Sequence, residues 1–120
     1  MLDNPADELV RQLNRLAAEQ PLIIVEGKKD EAALHSLGLR NIVTLRKPLF
    51  EVVEDVARVA KTVVILTDMD SKGKELFSKL SEGFQRHGVR VDNTFRHFLL
   101  KNTPLRHVEG LATFVANVKS

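Results

Sequence analysis

The sequence predicts an α/β fold, a central and mostly parallel four-stranded sheet with helices on both faces. Short apolar runs begin at Leu22, Ile42 and Val63, at intervals of about twenty residues. Each run is continuously apolar rather than alternating, as expected of strands covered on both faces. Stretches with helical spacing of apolar residues separate the runs, and strand–helix–strand repetition builds a parallel sheet. Right-handed crossovers leave few topologies, and the expected strand order is 2-1-3-4. The first and third strands are then neighbours where the order reverses. Ligands of such folds bind outside the carboxyl ends of the strands at that point.

Residues 2–18 read as a helix. Asn4 can cap it, Pro5 suits its first turn, and Asp7 and Glu8 favour the positive end of its dipole. Leu9, Leu13, Leu16 and Ala17 share one face, and Pro21 stops the helix. Residues 22–25 form the first strand. Residues 30–37 read as a helix closed by Gly38. Residues 42–45 are the second strand, and Phe50, Val53, Val56, Ala57 and Ala60 make the face of the helix after it. The third strand is 63–66. Leu76, Phe77, Leu80 and Phe84 line the next helix, which ends at Gly88. Residues 89–91 read as the fourth strand and 94–100 as a fifth, at an edge. Val108, Leu111, Ala112, Val115 and Val118 suit a C-terminal helix. No repeat or linker interrupts the pattern, and 120 residues fit one domain.

Composition narrows the function. Apolar residues make up 43% of the chain, enough for a real core, and no apolar run is long enough to span a membrane. The N-terminus "MLDNPADELV" lacks the pattern of a signal peptide. The chain has no Cys, which excludes disulfides, thiolate nucleophiles and Cys-ligated zinc, and a cytoplasmic location is expected. It has no Tyr, so it cannot form a tyrosyl-phosphodiester intermediate alone. A net charge of +2 permits nucleic-acid binding without arguing for it.

The chemistry concentrates at the ends of two strands. Glu26 directly follows the first; in "LTDMDSKGKEL", Asp68 follows the third and Asp70 lies just beyond. Parallel strands bring their carboxyl ends to one edge, with neighbouring backbones about 4.8 Å apart. Three carboxylates there repel, or take up protons, unless a cation joins them. Oxygen-only ligation selects a hard ion, and Mg²⁺, with Mn²⁺ as a substitute, is expected at Glu26, Asp68 and Asp70. An Asp after a strand is also a common turn residue or helix cap.

The flanks suit phosphate. Gly27 allows a sharp turn and leaves room beside Glu26, and Gly73 has the same place after Asp70. Lys28, Lys29, Lys72 and Lys74 lie near the starts of the following helices, where backbone N–H groups attract anions. Any single one of these lysines reads first as part of a solvated rim. Asp30 reads as a partner for a nearby loop or a basic side chain.

With these residues in hand, "LIIVEGKKDEAAL" followed by "VVILTDMDSKGKEL" resembles the Toprim domain. Topoisomerases, bacterial-type primases, old-family nucleases, recombination-repair proteins and ribosomal-RNA-maturing ribonucleases share that domain. Its first motif is an apolar strand ending in Glu-Gly with an Asp soon after, here Glu26, Gly27 and Asp30. Its second is a strand ending in Asp-x-Asp-x-x-Gly, here Asp68, Asp70 and Gly73. The likeness covers residues 22–91, and the short chain looks like the stand-alone Toprim proteins. The resemblance implies a Rossmann-like domain in which Glu26 is general acid or base, and Asp68 and Asp70 hold Mg²⁺ near a scissile phosphodiester. Many members carry a Gly after the second strand. Here "TLRKP" stands there, leaving Thr44, Arg46 and Lys47, with Arg46 as the expected phosphate contact.

In the tail, Arg96, His97, Lys101, Arg106 and His107 read as a basic surface beside the site, and Glu109-Gly110 as a segment that reaches toward the site. His35, His87, His97 and His107 lack metal-ligand spacing and read as surface or packing residues. The leading expectation is a Mg²⁺-dependent nuclease on RNA or DNA. The second is a non-catalytic module that binds nucleic acid or protein partners, or its own copies. A receiver-like switch is the third, but it needs an acid pair after the first strand, and here the pair follows the third.

Overall fold

A computed structural model describes residues 4–119. In chain order the elements are α1 (Pro5–Glu19), β1 (Ile23–Val25), α2 (Lys28–Ser36), β2 (Ile42–Thr44), α3 (Leu49–Ala57), β3 (Thr62–Ile65), α4 (Ser71–Arg86), β4 (Arg90–Asp92), α5 (Thr94–Asn102) and α6 (Leu111–Lys119), with a 3₁₀ turn at Val108–Gly110 before α6. The sheet is all-parallel in the order β2-β1-β3-β4, as expected, and Ile24 sits between Val43 and Ile65. This is a Rossmann-like arrangement, and no described helix is long and apolar enough to cross a membrane.

Alternation along the strands divides the core into two layers. Ile23, Val25, Val64 and Leu66 pack with Leu9, Leu13 and Leu16 of α1, Leu34 of α2, Phe95 and Leu99 of α5, and Leu111 and Val115 of α6. Ile24, Val63 and Ile65 face the other way, onto Val52, Val53 and Val56 of α3 and Leu80 and Phe84 of α4. Each fully buried Leu or Phe contributes about 1.5–3 kcal/mol of transfer free energy. Helix ends follow local rules: Asn4 Oδ1 accepts the Asp7 N–H at 2.9 Å, and Gly38 and Gly88 take the positive φ angles that favour glycine after α2 and α4. The expected helix start at Leu2 lies outside the described residues.

Two expectations fail. Residues 94–100 form no strand but the first part of α5. Phe95, Phe98 and Leu99 are buried together, which is the i, i+3, i+4 spacing of a helix. Asp92 Oδ1 accepts the Thr94 N–H at 3.1 Å and turns the chain out of β4 into that helix. In α3, Phe50 is 63% exposed rather than part of the inner face. The inner stripe is Leu49, Val52, Val53 and Val56, and Phe50 falls one position off it.

Candidate metal centre at the sheet edge

β1 and β3 are neighbours, so the residues that leave them meet. Glu26 Oε2 accepts the backbone N–H of Asp68 at 2.7 Å, across 42 residues of sequence. This bond joins the two motif strands just past their carboxyl ends.

Each aspartate uses its two oxygens differently. Asp70 caps α4, its Oδ1 accepting the Gly73 N–H at 2.8 Å. Asp68 Oδ1 accepts the Val108 N–H at 2.8 Å. The remaining Oδ2 atoms both face His107, whose Nδ1 lies 3.4 Å from that of Asp68 and 3.8 Å from that of Asp70. The cap reading and the ligand reading of Asp70 are therefore compatible, one on each oxygen.

Among the described residues, Asp68, Asp70 and His107 form a group whose ligand atoms lie within 4.8 Å of one another. Donors around a six-coordinate ion with metal–ligand distances of about 2.1 Å lie roughly 3 to 4 Å apart. The His107 nitrogen, 3.4 and 3.8 Å from the two carboxylate oxygens, has the spacing of neighbouring donors around such an ion. His107, read from sequence both as part of a basic surface beside the site and as a surface or packing residue, is 56% exposed and faces both aspartates. Glu26 stands beside this group, tied to the backbone of Asp68.

The turn between Asp68 and Asp70 is fixed from below. Thr67 is fully buried and its hydroxyl donates to the Gly73 carbonyl at 2.7 Å. A Cβ on Gly73 would stand 1.9 Å from the Asp68 carbonyl oxygen, so no side chain fits. Gly73 is buried and its N–H is engaged by Asp70. Gly27 differs: its backbone is extended, and a Cβ there meets nothing within 4 Å. The chain bends at Glu26 and Gly27 as expected, but with an extended backbone that any residue adopts, and open space lies beside Gly27.

Arg96, expected on a basic surface, is 4% exposed. Its Nε donates to the Thr67 carbonyl at 3.2 Å and its NH2 group to the Asp68 carbonyl at 2.8 Å. The guanidinium also lies 4.6 Å from the centre of the Phe77 ring. Burial lowers its pKa, while the charges of Glu26 and Asp68 act against that shift. It is a fixed cation beneath the acidic turn. Lys28 and Lys29 are exposed in the first turn of α2, and Lys72 and Lys74 in the first turn of α4. Arg46 is exposed beyond β2 and lines a groove along that edge strand with Ile42, Val43 and Val59. His97, Lys101 and Arg106 are exposed.

Asp30 supports the first motif from inside. It is 7% exposed, and its Oδ2 accepts the Gly27 N–H at 3.1 Å, which caps the start of α2. Burial raises its pKa, the Gly27 N–H opposes that, and the charges of Asp68, Glu26 and Glu109 raise it further. An acid whose pKa rises on folding contributes stability that is complete below its unfolded pKa and lost as pH rises through the folded one. Asp30→Asn keeps an acceptor for Gly27 without a charge to bury. Without metal it is expected to match or exceed the wild type in melting temperature at neutral pH. Asp30→Ala loses the cap, at a cost of about 1 kcal/mol. Thermal melts in chelator across about pH 4 to 8 check this, and the Asn variant should gain on the wild type as pH rises. A wild type that gains on the Asn variant instead contradicts the assignment.

Comparison with known proteins agrees with this geometry. A family profile described as the Toprim domain matches residues 21–98. A UPF0292 protein of Methanocaldococcus jannaschii is 34% identical over 113 residues, covering 90% of this chain and 88% of that one. A UPF0292 protein of Pyrococcus abyssi is 43% identical over 101 residues, covering 82% of this chain and 75% of its own. A solved structure from Aquifex aeolicus superposes with a TM-score of 0.75 at 31% identity, covering 86% of this chain and 94% of that one. With both motif strands joined at one sheet edge and relatives along most of its length, this chain belongs to the Toprim domain family, a metal-binding and nucleic-acid-related group.

Proposed function

We propose that this protein is a divalent-metal-dependent nuclease that cleaves phosphodiesters of RNA or DNA, using Mg²⁺ or Mn²⁺. The observation that carries the reading is the bond from Asp68 N–H to Glu26 Oε2, which sets a half-buried carboxylate beside the two aspartates. Asp68 and Asp70 would hold the ion, which supplies positive charge against a phosphate oxygen and the leaving oxygen. Glu26 moves a proton to or from the reacting oxygens. Lys28, Lys29, Lys72 and Lys74 meet the phosphate backbone, with Arg46 farther along the same sheet edge. The open space beside Gly27 lets the backbone of a substrate approach Glu26.

Contacts of this kind position a nucleic acid without reading its sequence. Binding is therefore expected to weaken with salt, with log affinity falling by about 0.7 to 0.9 per phosphate contact for each unit of log salt. Removing two of the four lysines should flatten that slope, which fluorescence anisotropy with labelled RNA and DNA would measure. The test of the function is turnover of the same substrates. Cleavage should require added Mg²⁺ or Mn²⁺, stop with chelator, and vanish in Asp68→Asn and Asp70→Asn. Salt-dependent binding with no cleavage of any substrate would overturn the nuclease reading in favour of a binding module.

A further inference from the structure

The family match ends at residue 98, so neither Toprim motif accounts for His107. Its position is nevertheless built. The preceding carbonyl, of Arg106, accepts the Met69 N–H at 2.8 Å. The following N–H, of Val108, donates to Asp68 Oδ1 at 2.8 Å. Val108 itself is 1% exposed and begins the 3₁₀ turn. The backbone on both sides of His107 is thus fastened to the Asp68–Asp70 turn. The hydrogen bonds that commit Oδ1 of each aspartate leave both Oδ2 atoms toward the His107 ring nitrogen. The ring is 56% exposed, so packing does not explain where it points.

We propose that His107 ligates the same divalent ion as Asp68 and Asp70, and that its nitrogen moves the preference of the site from Mg²⁺ toward Mn²⁺. This rests on the metal site of the proposed function. Mg²⁺ favours an all-oxygen shell rich in water, whereas imidazole nitrogen suits transition metals. Replacing one oxygen or water ligand by imidazole therefore costs Mg²⁺ more than Mn²⁺. The same exchange makes the metal site dependent on the chain beyond the family motifs.

Pulsed electron paramagnetic resonance of Mn²⁺ bound to the intact chain tests this without reference to activity. Nitrogen coupling from a directly bound imidazole is expected in the wild type, altered by isotopically labelled histidine and absent from His107→Ala. Calorimetry should show Mn²⁺ affinity falling at least about tenfold in His107→Ala and His107→Gln, since even outer partners of metal ligands are worth that much. Mg²⁺ affinity should fall less. The labelled wild type needs no substitution, so a misfolded variant does not remove the test. Bound Mn²⁺ that is lost in Asp68→Asn but shows no nitrogen coupling would overturn the role of His107 alone. Equal losses for Mg²⁺ and Mn²⁺ would overturn the selectivity. A wild type that binds no Mn²⁺ would overturn the metal centre itself, and this inference with it.

Discussion

Alanine at position 73 is expected to damage stability and metal binding together. The added Cβ would lie 1.9 Å from the Asp68 carbonyl oxygen, 2.4 Å from its carbon and 2.8 Å from the Asp68 Cα. These are backbone atoms and cannot swing aside as a flexible side chain would. Either α4 or the Asp68–Asp70 turn must shift. A shift strains the Gly73 N–H bond to Asp70 and the Thr67 bond to the Gly73 carbonyl. Overpacking of this severity costs about 3 kcal/mol or more, a large part of the roughly 5–15 kcal/mol of a typical domain. Thermal melts in chelator should show a fall of about 10 °C or more. Calorimetry should show weaker Mn²⁺ binding, because both aspartates lie on the displaced turn. Gly27→Ala is the matched control, since a Cβ there meets nothing within 4 Å. A Gly73→Ala protein that melts and binds metal like the wild type would refute the close approach.

Glu26→Gln is expected to lower cleavage by roughly 10² to 10⁴ while leaving the fold intact. Glutamine keeps an oxygen to accept the Asp68 N–H, but loses the charge and the exchangeable proton. Stability without metal should hold or rise slightly, because one member of a repelling acidic group is neutralised. Glu26→Ala separates two roles. If Glu26 only positions Asp68, glutamine should preserve cleavage and alanine should lose it. If Glu26 moves the proton, both should lose it, and glutamine should still bind Mn²⁺ nearly as well as the wild type. Rapid-quench cleavage of labelled substrate, with calorimetry beside it, distinguishes the cases. Full cleavage by the glutamine variant would sink the proton-transfer role.

The parts of the molecule that sequence makes legible are those where local pattern and position coincide. The strands are legible because they are buried on both faces and therefore apolar throughout. Glu26, Asp68 and Asp70 are legible because they follow strands whose parallel pairing fixes which ends meet. Their convergence is visible without coordinates, and the Glu26–Asp68 bond is its physical form. The stretch "TFRHFLL" is ambiguous, since both a helix and a strand can be drawn through its apolar residues. The phenylalanine spacing and the Asp92 turn decide for the helix. Arg96 reads as a surface cation because its partners are main-chain carbonyls, which leave no trace in a string of side chains. The contact of His107 with both aspartates is not legible because tertiary docking makes it. The residue arrives on a segment without regular periodicity, held by Met69 and Asp68 from far upstream.

The two core layers have a consequence for how this domain can be moved between proteins. The segment matched by the family, residues 21–98, contains both motifs and all four strands. One layer of the core nevertheless draws Leu9, Leu13 and Leu16 from before that segment, and Leu99, Val108, Leu111 and Val115 from after it. A graft cut to the matched segment would carry the acids and strip much of the cover from Ile23, Val25, Val64 and Leu66 on one side of the sheet. It would also leave behind the carbonyl of Arg106 and the N–H of Val108, which fasten the acidic turn. In this chain the unit that can be recognised is shorter than the unit that can be transplanted, and both flanks must travel with the motifs.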